Sequence, residues 1–188
     1  MPYAVELYLD REAEDTVRGL WKRLFDANVA PYLWSSGARP HVSLAVFQDA
    51  DPAMLSGLTG DFAQLARPQA LSLSHIGIFL EPRPVVFLAP RVTPALLELN
   101  AFFHRQASDA GAVPWESYLP DRWVPHCTVA ADLDAREVHR AVQELRLGFR
   151  ALTASLEEVG LVRFRPVETV AVYTLGKTVG DDGQNLVQ

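Results

Sequence analysis

Apolar and polar positions along the chain change period at regular intervals. "AVELYLD" from residue 4 reads as a strand, and "REAEDTVRGLWKRLFDAN" from 11 as a helix. "HVSLAVF" from 41 and "HCTVAADL" from 126 are apolar, bounded by Pro40 and Pro125, and long enough for strands. Helical spacing follows each of them. It runs through Met54, Leu55, Leu58, Phe62 and Leu65 after the first, and through Val138, Val142 and Leu145 after the second. Asp51 and Asp134 stand where N-caps of those two helices belong. A third helix is expected over 91–111, with Pro94 near its start and Gly111 at its end.

The order of elements repeats. Each of the two post-helical segments gives way to a β-like stretch, from 70 and from 151. Both stretches begin Ala-Leu, carry Ser four residues in (Ser74, Ser155), hold a mid-strand Gly (Gly77, Gly160) and contain Arg-Pro (Arg83-Pro84, Arg165-Pro166). The offsets between halves are 85 residues for His, 81 for Ala-Leu, 83 for Gly and 82 for Arg-Pro. Such agreement is what a duplicated unit with small loop changes gives. The unit predicts an α+β fold built as two lobes. Two antiparallel sheets face each other across a central cleft, with helices on the outer faces and a pseudo-twofold axis between them.

Side chains alternate along a strand, so His41, Ser43 and Ala45 are expected on one face and Val42, Leu44 and Val46 on the other. His126, Thr128 and Ala130 share a face in the same way. In both phrases an imidazole stands beside a hydroxyl, about 6–7 Å along the strand. One lone His near a Ser or Thr means little, because such a residue is more often structural than catalytic. Two at the same position of a repeat are a different matter, and across the cleft they would face each other.

An imidazole pair near neutral pH holds one neutral base and one charged acid. Phosphodiester hydrolysis needs both: one takes a proton from the attacking oxygen, the other gives one to the leaving oxygen. Ser43 and Thr128 are placed to donate hydrogen bonds to the non-bridging oxygens, and the scheme needs no metal. Zinc is the competitor for any His pair, but it requires further ligands, and Cys127 is expected on the face opposite His126 as a small core residue.

Composition narrows the partners. The chain has 188 residues, 49% of them hydrophobic and 21% charged, and a formal net charge of −6. That balance speaks against nonspecific gripping of long nucleic acid and points to a small ligand or an end. No apolar run reaches the length of a membrane span. "MPYAVELYLD" is expected to open the first strand rather than to be a signal peptide. The single cysteine suits a reducing compartment, so a cytoplasmic location is expected.

The chain resembles the 2H phosphoesterases, in particular their 2′-5′ RNA ligase-like (LigT-like) branch. The resemblance rests on His41-Val42-Ser43-Leu44 and His126-Cys127-Thr128-Val129, two His-x-[Thr/Ser]-hydrophobic motifs set in a repeat, and on "LSLSHIGIF" after the first. It implies opening of 2′,3′-cyclic phosphates on RNA ends or related small cyclic nucleotides by His41 and His126, without cofactor, and reversible 2′-5′ ligation. The first motif carries Ser where Thr is commoner in the family. On this reading residues 1–179 form one two-lobed domain, 180–188 a frayed tail, and the protein is expected to be a monomer.

The loops entering the two motifs are rich in aromatics, and each carries Arg just before the His. Tyr32, Trp34, Tyr118 and Trp123 are candidates to stack on a nucleobase, and Arg39 and Arg122 to bind phosphate. Packing of these aromatics onto the sheet is the alternative for each. Arg83 and Arg165 either supply charge to the cleft or cap hairpins; His75, His104 and His139 are expected to be structural or exposed. A noncatalytic RNA-end or nucleotide-binding module that retains the pocket is the alternative function.

Overall fold

The structure is a computed structural model and describes residues 1–80, 82–164 and 166–176. Arg165 and the 180–188 tail therefore lie outside the described residues. In chain order the elements are β1 (Tyr3–Leu9), α1 (Arg11–Asp26), the one-turn α2 (Tyr32–Ser35), β2 (His41–Phe47), α3 (Pro52–Leu65), β3 (Gln69–Phe79) and β4 (Val85–Pro90). They continue with α4 (Pro94–Asp109), a 3-10 turn at Glu116–Tyr118, β5 (Cys127–Ala130), α5 (Ala135–Gly148), β6 (Leu152–Arg163) and β7 (Glu168–Thr174).

The caps explain where the helices begin. Asp51 accepts from the Ala53 N–H, and Asp134 accepts from Arg136 and Glu137 while the Glu137 carboxylate returns a bond to the Asp134 N–H. Asp10 opens α1 by accepting from Ala13, and its second oxygen reaches the Ser155 N–H, tying the first helix to β6. Gly111 follows α4 at φ 72°, a left-handed turn that glycine adopts without strain.

Every strand pairing is antiparallel, in the order β2-β1-β6-β3-β4-β5, with β7 alongside β6. The sequence predicts two sheets; hydrogen bonding joins the strands into one. The joint lies where the start of β3 pairs with the start of β6, and there Ser72 stands opposite Thr153, 81 residues further on, the same offset as the Ala-Leu pairs. Both β stretches extend far enough N-terminally to reach each other, which is why the halves fuse.

One face of this sheet carries the helices. Val5, Leu7 and Leu9 of β1, Leu88 of β4, and Val159 and Leu161 of β6 share a single core with Val17 and Trp21 of α1, Phe62 of α3, Phe103 of α4 and Leu145 of α5. Among the described residues no helix is long and apolar enough to cross a membrane.

Both His phrases depart from simple alternation, and at the same place. Ser43 pairs with Glu6 but Ala45 with Val5, so Leu44 is an extra residue in β2. Thr128 pairs with Phe87 but Ala130 with Val86, so Val129 is extra in β5. The two bulges turn Ala45 and Ala130 into the helix-side core, where each is fully buried, instead of leaving them beside the imidazoles. Val46 is turned the other way and packs with Ala4 and Val162.

Candidate active site

Each imidazole is aimed by the proline before it. A residue preceding proline is held extended, and in Arg39-Pro40-His41 the Arg39 carbonyl meets His41 Nδ1 at 2.7 Å. In Val124-Pro125-His126 the Val124 carbonyl meets His126 Nδ1, again at 2.7 Å. A carbonyl oxygen only accepts, so Nδ1 carries the hydrogen in both rings and Nε2 is the nitrogen left for proton transfer.

His41 opens one edge strand of the sheet, β2, and His126 immediately precedes the other, β5, yet the two are close. β2 and β5 lie beside each other, and the His41 backbone N–H bonds the Cys127 sulfur. Burial, first of all, holds His126 below the ordinary histidine value; its bond to Val124 opposes this, and the charge of His41 adds to it. The imidazoles are thus within electrostatic reach of each other. Ser43 is buried and shares a hydrogen bond with the Tyr118 hydroxyl, while Thr128 is half-buried on β5. Cys127 is buried in the core, and burial pushes its thiol up to about 12.

Around this common frame the surroundings differ. Beside His41 lies Glu6 of β1, its Oε1 3.4 Å from His41 Nε2 and its side chain only 10% exposed. Burial raises the Glu6 carboxyl above the usual range, against the opposing effects of His41, a bond from Tyr8 and the charge of Arg39. The Tyr8 ring lies across Gly160, where an added Cβ would meet it at 2.5 Å, and Arg39 stacks on that ring at 4.1 Å. Arg39 is in turn held by Glu14 at 2.8 Å and Glu158 at 3.0 Å. His126 has phenyl rings instead: Phe79 edge-on at 4.9 Å and Phe87 at 5.4 Å. Phe87 covers Gly77 as Tyr8 covers Gly160.

The six residues proposed for substrate contact scatter. Tyr118 and Arg39 stand in the site. Trp123 is buried and donates its indole N–H to the Ser43 carbonyl at 2.9 Å, so its ring is a clamp behind β2 and offers no face to a base. Trp34 lies against α1, with Arg18 at 5.5 Å and Lys22 at 6.0 Å over its ring. Arg122 is exposed and paired with Glu116, and Tyr32 begins α2 at the surface. Arg83 bonds the Asp132 carbonyl at 2.9 Å and so ties the β3–β4 connection to the segment after β5. His104 is buried and donates from Nε2 to the Leu44 carbonyl at 3.1 Å, the carbonyl of the bulge residue. His75 lies exposed on β3 beside Ser74, and His139 pairs with Gln143 on α5.

Glu6, Tyr8, Phe79, Phe87 and the two glycines beneath the rings are the site residues that reading the sequence missed. Alternation in "YAVELYL" is the available signal: it puts Glu6 and Tyr8 together on the face away from Val5, Leu7 and Leu9. Among the described residues no group of three or more His, Cys, Asp or Glu side chains is arranged to hold a metal ion.

Residues 9–168 match the 2'-5' RNA ligase superfamily. No curated protein matches the chain. Among solved structures it is similar to LigT of E. coli complexed with 3'-AMP, at 16% identity and a TM-score of 0.61 over 93% of this chain and 97% of that one. It is also similar to TT0787 of Thermus thermophilus, at 17% identity and a TM-score of 0.62 over 94% and 98%. At these identities the likeness speaks for the fold.

Proposed function

Since the chain belongs to the 2'-5' RNA ligase superfamily, we propose that it is a phosphodiesterase opening 2′,3′-cyclic phosphates at RNA ends or on related nucleotides, with His41 and His126 as its acid–base pair. The observation that carries this reading is the matched pair of Nδ1 tethers, each 2.7 Å from the carbonyl two residues upstream. They leave Nε2 as the nitrogen of each ring that is free to move protons, at the start of adjoining strands.

In the reaction one neutral Nε2 takes a proton from water as the water oxygen bonds phosphorus. The other, protonated, Nε2 gives its proton to the ribose oxygen as the P–O bond breaks. The net result is one water consumed and one phosphomonoester formed. The hydroxyls of Ser43 and Thr128 donate to the non-bridging oxygens, where negative charge concentrates. No step requires a metal. With a 5′ ribose hydroxyl attacking phosphorus in place of water and the 3′ oxygen leaving with the second proton, the same pair joins ends through a 2′-5′ bond.

We read the architecture as a duplicated unit. The paired bulges at Leu44 and Val129 and the Ser72–Thr153 crossing support that reading. A nucleotide ligand is supported by E. coli LigT, whose structures include complexes with 3'-AMP and NADP+. The test is hydrolysis of a short RNA ending in a 2′,3′-cyclic phosphate with EDTA present. Conversion to a terminal phosphomonoester supports the reading. Folded protein that converts neither this RNA nor cyclic mononucleotides refutes it.

A further inference from the structure

The three strands under each motif bear corresponding positions: Ser43, Glu6 and Gly160 lie in one row, Thr128, Phe87 and Gly77 in the other. The middle position is a carboxylate in the first row and a phenyl in the second. Burying a carboxylate is unfavourable unless it is paired, and a phenyl serves in the matching place. Glu6 thus fills a position that the fold itself does not require to be acidic.

We propose that Glu6 is a positioning residue that keeps a proton on His41 Nε2, so that His41 enters the reaction as the acid and His126, between Phe79 and Phe87, as the base. This rests on the phosphodiesterase reading above. Glu6 Oε1 is 3.4 Å from His41 Nε2, the nitrogen that the Arg39 carbonyl leaves free. A carboxylate at that distance favours a proton on the ring nitrogen. His126 packs against phenyl rings where His41 has its carboxylate, and burial disfavours its charged form.

The other groups around His41 are accounted for. On β1, Tyr8 bonds the Glu6 carboxyl. Arg39, in the lead to β2, is paired with Glu14 of α1 and Glu158 of β6, and its charge favours the ionised form of Glu6. Tyr118 is bonded to Ser43, and burial raises its hydroxyl above the usual range, so it stays neutral. On β5, the Cys127 thiol is held protonated by burial, which leaves His126 as the group whose charge opposes that of His41. Glu6 is therefore the carboxyl group in contact with the His41 ring.

The proton bookkeeping closes. His126 gains the water proton, His41 loses its proton to the ribose oxygen, and Glu6 neither gains nor loses one over the step. Transfer of the extra proton from His126 through water back to the Glu6–His41 pair restores the resting site.

The experiment is Glu6→Gln, an isosteric change that removes the charge, read in two ways. In ¹⁵N NMR at neutral pH the His41 Nε2 resonance is expected to move toward the unprotonated position, and further than that of His126, which feels the change only through the charge of His41. In kcat/KM against pH, the alkaline limb is expected to move down by about one unit, roughly a tenfold loss on that limb, and the acid limb to move less. A structural role for Glu6 would move neither. If Glu6→Gln does not fold, Glu6→Asp takes its place, expected to shift both readouts in the same direction and less far. An unmoved His41 resonance overturns the proposal, and so does a moved resonance with an unmoved alkaline limb. Absence of turnover in the wild type would refute the phosphodiesterase reading instead, and the NMR comparison would still decide the Glu6–His41 pairing.

Discussion

The indole N–H of Trp123 reaches across 80 residues of sequence to the carbonyl of Ser43, at 2.9 Å, and fixes the strand that carries the first motif. Trp21 of α1 does the same to the Thr128 carbonyl of the second motif, at 3.0 Å. Each hydroxyl residue is thus held through its backbone by a tryptophan. Trp123→Phe removes the donor and leaves a buried carbonyl unmatched, which costs about 1–3 kcal/mol. Urea unfolding should show that loss. Steady-state rates on the four cyclic nucleotides should fall together, without a change in base preference. A changed base preference at unchanged stability would mean that the ring stacks on substrate after all.

Gly160 offers a second handle. A methyl group there meets the Tyr8 ring at 2.5 Å, and that ring carries Arg39 on one side and bonds Glu6 through its hydroxyl. Gly160→Ala must therefore push the ring off the sheet and disturb the groups around His41. Overpacking of this kind costs about 1–3 kcal/mol. The expected result is a moderate drop in stability together with a loss of activity larger than the fraction unfolded explains. Full activity in the variant would show that the Tyr8–Glu6–Arg39 arrangement is not needed.

How much of this was legible beforehand follows from the range of the interactions. The helices and their caps were readable because Asp51 and Asp134 act on residues two and three positions away. The two Pro-His phrases were readable for the same reason. The bulges were not: alternation assumes uninterrupted pairing, and only the register against β1 and β4 reveals Leu44 and Val129 as extra residues. Glu6 was hidden because its meaning depends on β1 lying next to β2 with Ser43 opposite it. The aromatic loops misled over Trp123 because an indole has both a flat face and a donor, and the sequence does not say that a strand carbonyl lies within reach of the donor. The fusion of the two halves into one sheet depends on a β3–β6 pairing between segments about 80 residues apart, beyond any local pattern.

Acid should weaken the fold through His104. Burial lowers this histidine from the ordinary 6.5, while its bonds to the carbonyls of Leu44 and Tyr118 oppose the shift. With the folded value depressed, the unfolded chain binds more protons just below 6.5, so stability is complete above that pH and falls as pH drops through the window beneath it. His126 shifts in the same direction and adds to the slope. Urea midpoints measured from neutral pH to about a unit below 6.5 should decline more steeply for wild type than for His104→Gln. Equal slopes would remove His104 from the account.

The central claim is that His41 and His126 act as one unit, and kcat/KM of the two single variants and the double variant on a 2′,3′-cyclic phosphate tests it most directly. Loss of one proton-transfer partner removes about 10²–10⁴-fold, and partners in a single step are not additive. The account predicts that His41→Ala and His126→Ala each fall by such a factor and that the double variant falls little further. Retention of near wild-type kcat/KM by either single variant would contradict it.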